Sequence, residues 1–360
     1  MRSGKLYTGR SQRFLYIALT SVLLIAVPAL VLFTIALKNP TYADMPKEII
    51  NGTQIQNLTD DHETGAHAWI DQMVFGLGRT LNADQRFFRN GTTSPDFDRH
   101  VAAVRFFGPL TITPGLHELE VETLAGTMHP AYRVYHWYGD TVPTLIYNHG
   151  ASQVPFDAIF VSIFDDEVIS QPLPVNLIVI RSPYHRYSRT ELNAGAATLN
   201  GFLAIMAVSV RLTEELIQTI RARGVPTVEV AGISLGGFVA NRHHLLYNSA
   251  DYYVPVVAGT AFDAVFLHTS PAADDALQNP ENIRRHLNFT DQWARTDNRN
   301  VFPVLARYDQ VCLLQHQGPG YGDIPVEVWD TGHISTALSV RALRHIFLRH
   351  LLPPTELTQF

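Results

Sequence analysis

The spacing of apolar and polar residues divides this chain of 360 residues into segments of different character. From Phe14 to Leu37 there is no charged side chain, a run of 24 residues. As a helix at ~1.5 Å per residue it would reach ~36 Å, enough to cross a hydrocarbon core of ~30 Å with some tilt. Residues 38–60 are polar, with Pro40, Pro46 and Gly52, and read as a stalk. Over 61–108 the near-helical spacing of Trp69, Met73, Val74 and Leu77, and again of Val101, Val104 and Phe107, predicts two or three helices.

The period changes at His117. Residues 117–123 alternate strictly, which predicts a half-buried strand, with 132–137 as its hairpin partner. Residues 141–147 and 173–180 are apolar almost without interruption, as in strands covered on both faces. A helix is expected between them, over 156–168. Further helices are expected over 200–223, 237–247 and 336–352, and strands over 225–230, 252–257, 302–308 and 325–329. The apolar start of the 200–223 helix is ten residues long, too short to cross a bilayer, and reads as buried core. Alternating strand and helix specify an α/β doubly wound, mostly parallel sheet. Residues 264–299 fit neither a strand nor a simple crossover, and read as a lid or a long crossover with a helix.

Charge and composition narrow the picture. A net charge of −6, with no Lys/Arg cluster beyond the N-terminus, argues against a nucleic-acid partner. Arg2, Lys5, Arg10 and Arg13 precede the apolar run, so the positive excess predicts an N-terminus in the cytoplasm and everything after residue 38 outside it. The run is longer than the ~7–15 residues of a signal-peptide core, which favours an uncleaved anchor. The single cysteine, Cys312, permits no intrachain disulfide or cysteine-built zinc site, and it lies in an apolar run that reads as core. Four N-x-S/T sequons, at Asn51, Asn57, Asn90 and Asn288, only slightly exceed the about two expected by chance.

The richest chemistry lies in Val228-Glu229-Val230-Ala231-Gly232-Ile233-Ser234-Leu235-Gly236-Gly237. It reads strand, sharp turn, helix, with a serine at the apex and glycine two residues to either side. A side chain at Gly232 or Gly236 would block the approach of strand and helix. The segment resembles the nucleophile elbow of the α/β-hydrolase family of serine hydrolases, and the resemblance extends over about residues 117–352. It implies a chain order of serine, acid, histidine. Asp309 follows the apolar strand segment 303–306, and His333 sits in a Gly-His pair after the last strand. The resemblance therefore implies Ser234 as nucleophile, His333 as base and Asp309 as its acid, with Asp263 as the alternative acid. It implies oxyanion donors at the backbone N–H groups of Leu235 and Ala151, the latter after a His149-Gly150 turn that lacks the H-G-G-G run of one lipase subgroup. His149, Tyr184 and Arg186 are candidate pocket residues. No metal and no organic cofactor is expected.

The reading at this level is a cytoplasmic N-terminus (1–13), a transmembrane anchor (14–37), a stalk (38–60), a helical extension (61–108) and an α/β-hydrolase domain (109–355). The expected activity is cleavage of carboxylic esters, lipid esters among them, through an acyl-enzyme. A peptidase, thioesterase or acyltransferase would use the same triad, and some proteins of this fold only bind.

Overall fold

The computed structural model describes residues 39–58, 65–81, 86–151, 153, 155, 156, 162–164, 173–187, 191–269 and 273–357. The expected anchor, 14–37, lies outside the described residues, as does most of the helix expected over 156–168. Among the described residues no helix is long and apolar enough to cross a membrane.

In chain order the strands are β1 (Lys47–Asn51), β2 (Arg105–Phe106), β3 (Gly115–Glu118), β4 (Val121–Thr123), β5 (Gly126–Met128), β6 (Ala131–His136), β7 (Thr144–Asn148), β8 (Asn176–Arg181), β9 (Val228–Ile233), β10 (Tyr252–Val256), β11 (Val304–Ala306) and β12 (Pro325–Trp329). The helices that matter for the site are α1 (Gly65–Leu81), α2 (Phe97–Ala103), α3 (Leu199–Ala222), α4 (Leu235–Leu246), α5 (His333–Leu338) and α6 (Val340–Leu348).

The main sheet has nine strands in the order β1-β12-β11-β10-β9-β7-β8-β6-β3. The six from β12 to β8 run parallel, while β1, β6 and β3 add antiparallel edges. The parallel strands read as continuous apolar runs because both their faces are buried. Leu145, Tyr147, Leu177, Val179, Ala231 and Ile233 face α6, where Ala342, Leu343, Ile346 and Phe347 meet them. Ile146, Ile178, Ile180, Val228 and Val230 share the opposite core with Leu212, Leu216, Ile217 and Ile220 of α3. Neighbours in one strand thus enter different cores, as the two-residue period requires. Strand order reverses between β7 and β9, which puts a crevice at the carboxyl ends of those two strands.

Four local expectations need correction. Residues 117–123 are not one strand: the chain leaves the main sheet after Glu118, and Val121–Thr123 joins a separate sheet of order β2-β4-β5. An alternating pattern marks two-sided exposure but not which sheet a segment joins. The expected stalk is partly built into the domain, because Lys47–Asn51 pairs antiparallel with β12 along its whole length. Its Ile49 side chain is 62% exposed, so little apolar periodicity announces it. The closing helix is two helices, α5 and α6, broken at Ser339. Among the described side chains of α1, Ala68, Ile70 and Asp71 are buried, whereas Trp69, which marked the expected apolar face, is 37% exposed.

Residues 264–299 form a helical crossover between β10 and β11, comprising a π-helical turn (Val265–Thr269) and helices Ala273–Ala276, Pro280–Leu287 and Thr290–Trp293 among the described residues. Val265, Phe266, Leu267, Ile283 and Leu287 enter the same core as Phe202 of α3 and Phe238 of α4.

Candidate active site

The elbow is the first element of the site. Ser234 has φ 55° and ψ −118°, a conformation that costs a non-glycine residue ~1–3 kcal/mol. Its backbone is held there by an N–H donated to the Val256 carbonyl at 2.8 Å and a carbonyl that accepts from Phe238 N–H at 3.0 Å. The glycines permit the turn. A Cβ on Gly232 would lie 2.8 Å from the Asn148 carbonyl oxygen and would overlap the Gly236 backbone. One on Gly236 would overlap Asn148 and lie 2.8 Å from the His149 carbonyl oxygen. Strand β9, helix α4 and the end of β7 therefore meet at van der Waals limits.

The expected acid and base, Asp309 and His333, follow the carboxyl ends of β11 and β12. Asp309 is fully buried. Its Oδ1 accepts from the backbone N–H groups of Val311 and Cys312, each at 2.7 Å, and its Oδ2 accepts from His333 Nδ1 at 2.7 Å. A carboxylate can only accept here, so the ring proton is on Nδ1 and Nε2 is left as the basic nitrogen. Burial alone would lower the His333 pKa, but the charge and hydrogen bond of Asp309, followed by the charge of Asp71, outweigh it and raise the value. The two loops are also tied directly, since Arg307 N–H donates to the Trp329 carbonyl and Tyr308 N–H to that of Thr331, both at 2.9 Å.

Among the described residues the Ser234 hydroxyl makes no hydrogen bond, to His333 or to any other group. Asp263, the alternative acid, makes no hydrogen bond to His333. Its carboxyl, raised in pKa by burial, faces Asn288, and its Oδ1 has no partner among the described groups.

On the other side of Ser234, the β7 loop carries the second expected oxyanion donor. Gly150 lies against the Ile233 carbonyl, which a Cβ there would approach to 3.3 Å. Neither Leu235 N–H nor Ala151 N–H donates to another group among the described residues. His149 is buried and occupied. Its Nδ1 donates to the Gly150 carbonyl at 2.7 Å, and its Nε2 accepts from Ser182 N–H at 3.1 Å. Burial holds its pKa well below the ordinary value, so it is a neutral brace between the β7 and β8 loops rather than an open pocket wall. Tyr184 is partly exposed at φ 61°. Arg186 turns its guanidinium to Glu118 at 3.7 Å and to the face of Tyr187.

Asp309, Cys312 and His333 present donor atoms within 4.8 Å of one another. The Asp309 oxygens already accept three hydrogen bonds, and burial raises the Cys312 thiol pKa well above its ordinary value. That geometry suits a proton relay.

A six-stranded parallel centre, a positive-φ serine between β9 and α4, an aspartate after β11 and a histidine after β12 form one pattern. The described chain has the α/β-hydrolase fold.

No protein-family model matches the chain, and none of the curated proteins does. Solved structures that resemble this chain include an acetyl xylan esterase from Paenibacillus sp. R4, with 13% identity, a TM-score of 0.48, and coverage of 83% of this chain and 99% of that one. Acetyl xylan esterase 1 from Thermoanaerobacterium sp. JW/SL YS485 has 14% identity, a TM-score of 0.45, and coverage of 73% and 98%. The Pyrococcus horikoshii acylaminoacyl peptidase has 12% identity and a TM-score of 0.48, and the match covers 67% of this chain and 41% of that one.

One residue at the site carried no motif. Asp71 of α1 is buried against the His333 loop, where its Oδ2 accepts from His333 N–H at 2.5 Å and its Oδ1 from Ile334 N–H at 3.0 Å. Its only trace in the sequence is a lone carboxylate beside Ile70 on an amphipathic helix.

Proposed function

We propose that this α/β hydrolase cleaves carboxylic esters through a covalent acyl-enzyme on Ser234. The observation that carries the reading is the buried His333–Asp309 hydrogen bond at 2.7 Å at the sheet edge that also bears the strained Ser234. Substrate brings the Ser234 hydroxyl to His333 Nε2. The oxygen attacks the ester carbonyl while its proton passes to Nε2, and the Asp309 carboxylate stabilises the imidazolium. Negative charge on the carbonyl oxygen falls to the N–H groups of Leu235 and Ala151. As the intermediate collapses, His333 returns the proton to the leaving alcohol. Water, deprotonated by the same nitrogen, then releases the acid and restores Ser234.

We also propose that residues 14–37 anchor the protein in a bilayer, with residues 1–13 in the cytoplasm and the hydrolase domain on the other side. The charge-free run and its preceding basic residues support this. It makes lipophilic esters, acylglycerols among them, the substrates of choice. Retention in the membrane pellet at alkaline pH, and protection from protease added on the cytoplasmic side, test it. Release into the supernatant would refute it.

A fluorophosphonate probe tests the chemistry. Wild type labels, and Ser234→Ala and His333→Ala do not. A folded wild-type protein that fails to label would favour a binding protein. A panel of p-nitrophenyl esters of increasing acyl length, a monoacylglycerol, a thioester and a peptide amide separates esterase from peptidase and thioesterase. An alcohol acceptor added to the ester assays reveals acyl transfer.

A further inference from the structure

Helix α1 precedes the six parallel strands in sequence yet lies against both the Asp309 and the His333 loops. Its residues 67, 71 and 75 recur every four positions and so share one face. His67 Nδ1 is hydrogen-bonded to Ser335 Oγ at 2.9 Å, and its ring stacks on Tyr308. Phe75 sets its ring edge-to-face with that of His333, centroids 5.7 Å apart. Between them, the fully buried Asp71 carboxylate reaches both loops: beyond its bonds to His333 and Ile334, its Oδ2 accepts from Gln310 N–H at 3.2 Å. Gln310 directly follows the acid Asp309. The approach depends on Gly332, where a Cβ would lie 2.8 Å from Asp71 Oδ2 and 2.9 Å from the His67 carbonyl.

We propose that Asp71 is a positioning residue of the active site: it latches the histidine loop to the acid loop and places a second negative charge, after that of Asp309, beside His333. The role of His333 rests on the serine-hydrolase reading, whereas the latch itself does not. Titratable groups facing Asp71 are Asp309 and Cys312 on the acid loop, His333 on the next, and His67 one turn earlier on α1. Burial first and the charge of Asp309 second push the Asp71 carboxyl up to about 6, so it is ionised where His333 must be neutral to accept a proton. Removing its charge lowers the His333 pKa.

Asp71→Asn tests this. With a p-nitrophenyl ester, kcat falls about tenfold or more with KM little changed, and the acid limb of the kcat/KM profile moves to lower pH. A merely structural role would reduce the folded fraction and leave that limb in place. In a Ser234→Ala background, which needs no turnover, NMR titration of the His333 ring shows the same downward shift on adding Asp71→Asn. A folded Asp71→Asn protein with both the limb and the ring titration unmoved would overturn the proposal. Should that variant not fold, hydrogen exchange in the Ser234→Ala protein decides. The amides of His333, Ile334 and Gln310 are protected at pH 8 and lose protection together as pH falls through about 6. Free exchange at pH 8 would overturn the latch. Failure of wild type to take a fluorophosphonate would sink the hydrolase reading instead, with the ring titration still able to test Asp71.

Discussion

Gly236, on the helix behind Ser234, and Asn148, at the end of β7, touch so closely that a β-carbon on the glycine would overlap the asparagine carbonyl. Backbone contact thereby seats the Ser234 turn directly against the β7 loop. Gly236→Ala should force the two apart. Overpacking of this kind costs ~1–3 kcal/mol, and here it also displaces the turn that presents Ser234. The expected result is a folded, less stable protein with turnover reduced at least a hundredfold, measured by thermal unfolding beside ester hydrolysis. Wild-type turnover in that variant would contradict the contact.

Removal of the relay has graded effects. Ser234→Ala should lower kcat by ~10⁶, as in a well-studied serine hydrolase. Asp309→Asn leaves the shape but takes away the acceptor that fixes the His333 tautomer, and should cost ~10⁴. Asp263→Asn should cost far less, because its carboxyl makes no bond to His333. Steady-state kinetics of the three variants would show whether Asp309 or Asp263 serves the histidine.

The pH profile follows from the charges around His333. Its folded pKa lies above the ordinary 6.5, because the charge and hydrogen bond of Asp309 and the charge of Asp71 outweigh burial. In the proposed mechanism His333 accepts a proton when neutral, so kcat/KM should rise with pH to a half-maximum above 6.5. For stability the sign is opposite. A histidine with a raised folded pKa contributes stability below its unfolded value and loses it as pH climbs through the folded one. A half-maximum below 6 would show that desolvation wins.

Strain at the nucleophile predicts a trade between activity and stability. Ser234 holds φ 55° without being glycine. Ser234→Gly should therefore unfold at higher denaturant than Ser234→Ala, by about 1 kcal/mol, although both are inactive. Equal midpoints would show that the turn stores no strain.

Cys312 is 1% exposed and its thiol pKa is raised, first by burial and then by Asp309 and Asp71. A thiol reagent at pH 8 should leave it unmodified in the native protein and react with it after unfolding. Rapid modification of the native protein would show that the acid loop opens.

The parts legible in the sequence share one property: their signal is local. The elbow is spelled out within ten residues, because the steric demand at Gly232 and Gly236 comes from the turn they flank. Asp309 and His333 each follow a short apolar strand, and the chain order that the resemblance implies singled them out; the structure joins them by a hydrogen bond. What stayed hidden depends on distant neighbours. Lys47–Asn51 becomes a strand only because the edge of β12 is open to it. Asp71 looks like one polar position on a helix until the loops 239 and more residues later supply their N–H groups. Ser339 breaks the closing helix although the apolar spacing runs on through it.

The antiparallel pairing of β1 has a consequence for how the molecule is oriented. Lys47 lies opposite Trp329, and the Pro46 carbonyl accepts from Asp330 N–H at 2.9 Å, so the polypeptide enters the sheet at the rim where the relay sits. Asn39, bonded through its side chain to Arg341 N–H, is at the start of α6 on the same rim. Any surface that grips the chain just ahead of Asn39 would hold the reactive mouth toward itself, on a leash too short to let the domain turn its back.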